Sequence, residues 1–577
     1  MQLRLPVLIG LLVASTGLLA RQAVPGASVV SSTGLVVSAS DIAADIGASI
    51  LSKGGNAVDA AVATAFAMAV THPAAGNLGG GGFMIVRTPD GRATAFDYRE
   101  RAPGKSTPTM YLGPDGEIDR SLTAAGYLAP GVPGTVRGMG MAHRRFGRLP
   151  WRDVVMPAAE LALSGFTMSE TLARSLNGEL QRMQPFPASV AAYGKPGGGD
   201  WAAGDTIVLG DLARTLTAIA TDGPDAFYTG WIADRIAADM AAHGGLITKA
   251  DLAGYEARER VPVTGTFLGH EIISMPPPSS GGTVLIEMLN MLEALDIQNV
   301  PRATALAHHL MTEAMRRAYL DRARFLGDSD FVDVPVARLT SKAHARELIA
   351  SLSRDHASSS VELGRDIVTD GPPEPDETTH FSVLDKDGMA VANTYTLEGG
   401  YGSHVVVAGT GFLLNNEMGD FNRKPGTTNL TGDIGTPANL IAPGKRMLSS
   451  MTPTIVTRDG RLVLVTGSPG GRTIINTVLN VVLNVTAWGM AGRDAIDAAR
   501  SHHQWLPDRL SIEDGGISKS ELAALEARGH AVRVQGRQGS AQSIWIHPTT
   551  GRAYGIPDMR DATAKASAPV ITAGGSH

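Results

Sequence analysis

The chain has 577 residues, of which 43% are apolar and 18% are charged, and its net charge is −6 at pH 7. This composition excludes a disordered chain, which would be rich in charge and poor in apolar residues, and the acidic balance argues against nucleic-acid binding. Because the chain contains no cysteine, disulfides, thiolate metal sites and cysteine nucleophiles are excluded as well.

The first twenty residues have the pattern of a secretory signal peptide. Arg4 places a positive charge near the start, and Leu5 to Ala20 is an almost unbroken apolar stretch. That stretch is shorter than the roughly 20 residues that span a bilayer. We therefore predict a signal peptide over 1–20 and a periplasmic or secreted protein with no membrane span once it is removed. An uncleaved N-terminal anchor is the alternative.

Helical patterns dominate the first two-thirds of the chain. Apolar residues recur at helical spacing from Asp41 to Leu51, and the alanine-rich stretch 57–70 predicts a second, closely packed helix. Four glycines then precede a short apolar run at 83–86, which is typical of a buried strand. Amphipathic helices are predicted again around 310–324, and the sequence PPPSSGG at 276–282 predicts a rigid turn.

Strand patterns dominate the last third. Residues 356–377 form a polar, proline-rich stretch that predicts an exposed loop. After it, Thr379 to Leu384 and Met389 to Thr394 flank an Asp-Gly turn and predict a β-hairpin. Further strands are predicted at 403–407, 411–414, 452–457 and 462–466, a helix at 473–485, and a frayed tail after about 562.

Thr378 is the residue that follows the exposed loop and begins the predicted hairpin. Cleavage of the Glu377–Thr378 bond would give Thr378 a free α-amine, so that one residue would carry both a nucleophilic hydroxyl and a base. The pKa of an α-amine is about 7.7–8, which allows it to accept a proton near neutral pH. On position alone, an ordinary strand-forming threonine is the simpler interpretation.

A second candidate feature is the turn GSPGGRT at 467–473, which lies before the predicted helix. Backbone N–H groups of Gly470 and Gly471 could bind an oxyanion or a phosphate there, helped by the positive end of the helix dipole. A plain strand-to-helix turn is the alternative. The sequence contains no Gly-x-Ser-x-Gly, His-Glu-x-x-His or complete phosphate loop, and the adjacent pairs His308-His309 and His502-His503 are predicted to pack rather than to bind metal.

Several long motifs together carry a family resemblance. They are GGNAVDAAVATAFAMAVTHPAAGNLGGGGFMIVR at 54–87, DYRERAPGKST at 97–107, PPPSSGG at 276–282, TTHFSVLDKDGMAVANTYTLEGGYGS at 378–403, LLNNEMGDF at 413–421, LSSMTPTIV at 448–456, GSPGG at 467–471 and HHQWLPD at 502–508. In this order and spacing, from about residue 33 to 560, the chain resembles the γ-glutamyltranspeptidase (glutathione hydrolase) family.

The resemblance implies an α+β fold, the four-layer αββα sandwich of the N-terminal-nucleophile hydrolases. It implies a proenzyme that cuts itself between Glu377 and Thr378 into a large subunit, 21–377, and a small subunit, 378–577, which stay together as a heterodimer. The implied activity is hydrolysis or transfer of γ-glutamyl groups from small molecules such as glutathione. No metal or organic cofactor is implied.

The resemblance also implies roles for the residues that carry out the chemistry. Thr378 would be the nucleophile and its α-amine the base, with Thr396 holding that amine or hydroxyl in place. Gly470 and Gly471 would supply the N–H donors of the oxyanion hole.

The implied substrate-binding residues form a second group. Arg99 would bind the α-carboxylate of the γ-glutamyl group, because a guanidinium can bind two oxygens at once. Ser449 and Ser450 would add hydroxyl donors, and Asp420 would bind the α-ammonium. Glu398 and Glu417 stand where other members carry Asn and Gln, and these acids would strengthen binding of the ammonium. The loop from Pro425 to Leu440 matches the family's active-site lid in length.

Two alternative functions follow from the same motifs. One is a cephalosporin or glutaryl acylase, whose substrates lack the α-amine and would not require Asp420. The other is a secreted homologue that is not processed and binds γ-glutamyl compounds without turnover. The presence of Thr378, Thr396 and both glycines of the turn weighs against that second alternative.

Overall fold

The computed structural model describes residues 26–367 and 378–570. The predicted signal peptide and Glu377 therefore lie outside the described residues. Within these two ranges, no helix is both long enough and apolar enough to cross a membrane.

The strands are short, and most of them belong to two large sheets. In chain order they are β1 (Val29–Ser31), β2 (Gly34–Ser38), β3 (Gly81–Arg87), β4 (Ala93–Asp97), β5 (Phe166–Thr167), β6 (Thr206–Ile207), β7 (Arg258–Arg260), β8 (Val263–Phe267), β9 (His270–Ser274), β10 (Thr379–Asp385), β11 (Ala390–Thr396), β12 (Thr454–Arg458), β13 (Arg461–Thr466), β14 (Ser501–His502), β15 (Leu510–Glu513), β16 (Val532–Gln535), β17 (Ser543–Ile546), β18 (Ala553–Ile556) and β19 (Lys565–Ser567).

The helices lie mainly before residue 367. In chain order they are α1 (Asp41–Ser52), α2 (Ala57–Thr71), α3 (Ser121–Ala124), α4 (Thr135–Phe146), α5 (Trp151–Ser164), α6 (Glu170–Arg182), α7 (Pro187–Tyr193), α8 (Gly210–Asp222), α9 (Asp225–Thr229), α10 (Trp231–Ala242), α11 (Lys249–Ala253), α12 (Gly281–Ala294), α13 (Ala305–Phe325), α14 (Val336–Leu339), α15 (Lys342–Ile349), α16 (Ser360–Leu363), α17 (Ile474–Thr486), α18 (Gly492–Asp497) and α19 (Lys519–Ala527).

Two seven-stranded sheets form the centre of the molecule. One has the strand order β1-β18-β17-β13-β12-β9-β8 and the other the order β19-β2-β10-β11-β3-β4-β7. Neighbouring strands within each sheet are antiparallel. Apolar side chains of both sheets, such as Phe83, Ile273 and Val465, meet in a buried core between them, as expected for stacked sheets.

Helices cover the outer face of each sheet. Helices α1, α2 and α4 pack against the sheet that contains β3, and α5 packs on the outer side of α2. Helix α2 is buried along its whole length because its many alanines allow close approach on all sides. Helices α12, α13 and α17 share a core with the sheet that contains β12 and β13. The order helix, sheet, sheet, helix confirms the predicted αββα sandwich.

Both proposed subunits contribute strands to each sheet. The hairpin β10–β11, which begins just after Thr378, lies in the middle of its sheet between β2 and β3 from the earlier part of the chain. The other sheet likewise combines β8 and β9 with β12 and β13. A cut before Thr378 would therefore leave two pieces whose strands still pair and whose cores are shared.

The predicted strands at 403–407 and 411–414 are wrong. This segment contains only isolated bridges, between Val406 and Leu413 and between Gly79 and Leu414. The physical reason is a series of residues with positive φ, Tyr401, Gly402 and His404 among them. Such left-handed conformations interrupt the extended geometry that a strand requires.

The prediction of a frayed tail is also wrong for its first part. Residues 565–567 form β19, which pairs with β2. Ala566 is fully buried between the sheets, and the Lys565 ammonium lies 2.7 Å from Asp45 Oδ2. Strand pairing, buried alanines and contacts with Asp45 thus secure a segment whose composition alone is typical of a disordered end.

Candidate active site

A cavity of about 260 Å³ lies beside Thr378. It brings together side chains that are distant in sequence, among them the predicted site residues Arg99, Thr378, Thr396, Glu398, Glu417, Asp420, Ser449, Ser450 and Gly471. Of the predicted site residues that the structure describes, Gly470 lies off this lining. It borders an adjoining cavity that Thr378 also lines.

The β-hairpin positions Thr378 opposite Thr396. Thr379 of β10 pairs with Tyr395 of β11, so the residues next to them lie side by side. Thr396 Oγ1 donates toward Thr378 Oγ1 across 3.4 Å and accepts a hydrogen bond of 2.8 Å from the backbone N–H of Glu398. Thr396 thus links the backbone after β11 to the Thr378 hydroxyl.

The glycine turn lies between β13 and α17 at the border of the two cavities. Gly470 has φ 126° and Gly471 has φ 50°, both in the region that favours glycine. A Cβ at position 470 would lie 2.4 Å from Thr473 Oγ1, so a side chain does not fit there. The turn is closed by a hydrogen bond of 2.9 Å from the Thr473 N–H to the Gly470 carbonyl. It thus presents bare backbone just before a helix begins.

Arg99 is the cation at the base of the cavity. Its side chain is completely buried, and its two terminal nitrogens donate to Glu417 and to Asp420. Nε donates to the Met447 carbonyl over 3.2 Å. The Asp420 side chain is 37% exposed, whereas the Glu417 side chain is buried. Asp420 therefore presents its charge to the cavity, while Glu417 lies behind it.

Glu100 is a functional candidate that the sequence analysis missed, although it belongs to the DYRE motif. Its carboxylate is fully buried, and Oε2 lies 3.6 Å from Arg99 Nη1. No described residue donates a hydrogen bond to either oxygen of Glu100 or to Oε2 of Glu417. Burial raises the pKa of Glu100 to about 7 and that of Glu417 well above its ordinary value, although the charge of Arg99 opposes both shifts. The two buried carboxyl groups, Glu100 and Glu417, therefore retain a proton near neutral pH.

This shared proton makes stability depend on pH. A carboxyl whose pKa is raised on folding stabilises the fold fully below its unfolded pKa, here 4.5, and loses that contribution as the pH rises through the folded value of about 7. In Glu417→Gln, the amide can donate to Glu100 without a shared proton. As the pH is raised from 5 to 8, we expect the Tm of the wild type minus the Tm of this variant to decrease by about 1–3 °C. Calorimetry across that range measures the difference.

The matched control for this experiment is Glu256→Gln, because the Glu256 side chain is 67% exposed. Its Tm is expected to follow that of the wild type at every pH. Parallel curves for Glu417→Gln and the wild type would contradict the shared proton.

Ser449 and Ser450 are supported by a turn and a helix from the earlier part of the chain. Ser280 Oγ donates to the Ser449 carbonyl over 2.6 Å. Arg322 of α13 donates through Nε to Ser280 Oγ at 2.9 Å and through Nη2 to Ser450 Oγ at 3.0 Å. These contacts give the PPPSSGG turn a structural role, as predicted. Arg322 was not predicted, because no local pattern sets it apart from the other charged residues of α13.

The loop 425–440 lies over the cavity, where a lid was predicted. Arg472 Nη1 donates to the Gly432 carbonyl over 2.7 Å, and Arg120 Nη2 donates to Asp433 Oδ2 over 2.6 Å. Arg423 also lines the cavity; burial, with the charge of Arg120, lowers its pKa to about 10. These and other hydrogen bonds, such as that from Thr436 to the Ala323 carbonyl, hold the loop against the residues around it.

Comparison with known proteins decides the family. The model of the γ-glutamyltranspeptidase family matches residues 43–568. The chain belongs to this family. It is 46% identical over 527 residues to the glutathione hydrolase proenzyme of Escherichia coli strain K12, with 91% of this chain and 90% of that protein covered. It is 37% identical over 524 residues to the acylase ACY 1 proenzyme of Pseudomonas sp. strain SE83, with 90% of each covered.

A solved structure agrees with the fold. The cephalosporin acylase from Bacillus halodurans superposes on the chain with a TM-score of 0.81 at 26% identity, covering 95% of this chain and 97% of that one. The protein is therefore an enzyme of the γ-glutamyltranspeptidase family with the αββα fold.

Proposed function

We propose that the protein is a self-processing hydrolase and transferase of γ-glutamyl groups, with glutathione and related compounds as donors. One observation carries this proposal: the cavity beside the Thr378 hydroxyl contains both a buried guanidinium, Arg99, and a partly exposed carboxylate, Asp420. A γ-glutamyl group bears an ammonium and a carboxylate on its α-carbon, so it needs one anchor of each sign.

Processing would be the first reaction. Hydrolysis of the Glu377–Thr378 bond adds water across the amide, which leaves a carboxylate on the large subunit and frees the α-amine of Thr378. The pairing of β10 with β2 and of β11 with β3 supports a heterodimer that stays assembled after the cut.

Catalysis would then use groups at the start of β10, at the end of β11 and in the turn between β13 and α17. The α-amine of Thr378 takes the hydroxyl proton as Oγ1 attacks the γ-amide carbonyl, and it later gives that proton to the departing amine. Backbone N–H groups of Gly470 and Gly471 stabilise the oxyanion, and Thr396 orients the nucleophile. The product is a γ-glutamyl ester of Thr378. Water, or an acceptor amino acid or peptide, attacks this ester and restores the hydroxyl.

Binding of the γ-glutamyl substrate would replace an ion pair that exists within the site. Arg99 donates to Asp420 in the structure, and a bound α-amino acid group replaces that contact with two new ones. Its carboxylate accepts from Arg99 and from the hydroxyls of Ser449 and Ser450. Its ammonium donates to Asp420, with the carboxyl groups of Glu398 and Glu417 nearby.

We also propose that the protein is exported and acts in the periplasm or outside the cell. The signal-peptide pattern of residues 1–20 supports export. The lack of a membrane-spanning helix within the described ranges agrees with a location in solution after the signal is removed.

Two anilide substrates distinguish this function from that of an acylase. γ-Glutamyl-p-nitroanilide and glutaryl-p-nitroanilide differ only in the α-amine. Because a charge-assisted hydrogen bond contributes about 1.5–3 kcal/mol, we expect the wild type to prefer the γ-glutamyl substrate by about 10- to 100-fold in kcat/KM. Asp420→Asn should lose most of that preference, and Glu117→Gln, at the exposed mouth of the cavity, should retain it. Equal or better cleavage of the glutaryl substrate by the wild type would favour the acylase alternative.

A further inference from the structure

A second cluster of charged side chains lies outside the active site, among the helices that cover the sheet containing β12. It consists of Glu287 on α12, Asp321 on α13 and His344 on α15, all three buried. One ligand atom from each lies within 4.8 Å of the other two. His344 Nε2 is 2.7 Å from Asp321 Oδ2 and 3.5 Å from Glu287 Oε1. Three helices thus direct one nitrogen and two carboxylate oxygens to a single point.

The carboxyl group of Glu287 lacks a hydrogen-bond partner among the described residues, within this cluster and around it. Neither carboxylate oxygen of Glu287 accepts a hydrogen bond from a residue in the described ranges, although the side chain is completely buried. A buried carboxylate pair of this kind needs a counter-charge, which can be a proton or a cation.

The orientation of His344 favours a cation. Nε2 faces the two carboxylates, while Nδ1 lies 3.5 Å from Glu347 Oε2 on the next turn of α15. Nδ1 has no hydrogen-bond partner among the described residues, and rotation of the exposed Glu347 side chain would let its carboxylate orient the ring, as carboxylates commonly do for a histidine that binds a metal. The Glu347 side chain is 71% exposed, so α15 carries the cluster on one side and a solvent-exposed carboxylate beside it.

A second group of possible ligands, two of them on α13, differs because its charges and hydrogen bonds are already paired within the protein. His309, Glu313 and His530 also lie close together, but Glu313 forms ion pairs with Arg316 and Arg317. These charges, with the Ser358 hydroxyl, lower the pKa of Glu313 to about 2 against the effect of burial. Both nitrogens of His309 already have hydrogen-bond partners. This group needs no further cation.

We propose that Glu287, Asp321 and His344 bind one Zn²⁺ ion. One imidazole and two carboxylates are a donor set that suits zinc, with water at the remaining position, and the two positive charges of the ion match the two carboxylates. The ion would link α12, α13 and α15. Asp321 is followed in α13 by Arg322, which supports Ser280 and Ser450, so zinc would steady the wall of the substrate cavity without taking part in the reaction.

Zinc binding is measured on the untagged full-length protein after it is stripped with a chelator and dialysed against ZnCl₂. Mass spectrometry of the metal content should give one zinc per chain. At zinc concentrations about 100-fold above Kd, the Tm should rise by about 2 °C. A wild type that binds no stoichiometric zinc would overturn the proposal and would assign a proton to the carboxylate pair instead.

Variants locate the ion. Glu287→Gln and His344→Gln keep the size of each side chain and should lose both the bound zinc and the zinc-dependent rise in Tm. His530→Gln is the matched control, because it alters the second group of possible ligands on the same face of the fold, and it should bind zinc as the wild type does. Full zinc content in His344→Gln, or its loss in His530→Gln, would contradict the assigned site. Circular dichroism of each variant verifies that it is folded.

Discussion

Thr378→Ala should yield a single uncut chain that does not cleave γ-glutamyl-p-nitroanilide. The variant lacks the hydroxyl needed for processing and for attack on the substrate, and the residue that should carry the free α-amine never becomes an N-terminus. Loss of a catalytic nucleophile typically costs at least about 10⁴-fold in kcat. Intact mass, N-terminal sequencing of any fragments and the rate of anilide cleavage measure the three consequences on one preparation.

Two further variants make this result specific. Thr378→Ser keeps a hydroxyl at the same position and should still be cut and active, though more slowly. Thr379→Ala removes the neighbouring hydroxyl, which is buried and has no hydrogen-bond partner among the described residues, and should behave as the wild type. A Thr378→Ala chain that is cut before residue 378 would show that another group performs the processing. A wild type that is neither cut nor active would favour the binding homologue.

The central hairpin could be predicted from the sequence because neighbouring residues, the strand pattern and the turn between the strands, determine it. The runs at 379–384 and 389–394 alternate around an Asp-Gly turn, and the structure forms β10 and β11 over nearly the same residues. Helix α2 was predicted for a similar reason, since a run of alanines favours a helix whatever lies around it. The valines at 405–407 are equally typical of a strand, but the positive φ angles nearby depend on tertiary packing that local composition does not encode.

The site residues likewise divide into those that sequence motifs predict and those that only tertiary contacts reveal. The family motifs led to nine residues that line one cavity, and they led to Gly470 as well, which borders the adjoining cavity. Glu100 and Arg322 were missed because their roles arise from contacts across the fold. Glu100 lies beside Arg99 and near Glu417, 317 residues further along the chain, and Arg322 reaches Ser450 from another helix. A residue that acts through such contacts has no sequence pattern of its own.

Arg99→Lys is expected to raise the KM for γ-glutamyl-p-nitroanilide by about 10- to 100-fold, because it loses charge-assisted hydrogen bonds that contribute about 1.5–3 kcal/mol. The guanidinium donates to Glu417, Asp420 and the Met447 carbonyl from three separate nitrogens, whereas the lysine ammonium is a single point charge that cannot reproduce this planar, spread geometry. Processing and kcat should change much less, since Thr378 and Thr396 belong to the hairpin. Steady-state kinetics and intact mass test both parts of this expectation.

The matched control is Arg101→Lys, two residues along, because Arg101 donates to the carbonyls of Gly444 and Gly254 and lies away from the cavity lining. Its KM should stay within about twofold of the wild-type value. Comparison of the two anilide substrates then distinguishes the role of Arg99 from that of Asp420. If Arg99 binds the α-carboxylate, which both substrates carry, Arg99→Lys must weaken both, whereas Asp420→Asn must weaken only the γ-glutamyl compound. A KM for the glutaryl anilide that Arg99→Lys leaves unchanged would show that Arg99 serves only to hold Glu417 and Asp420.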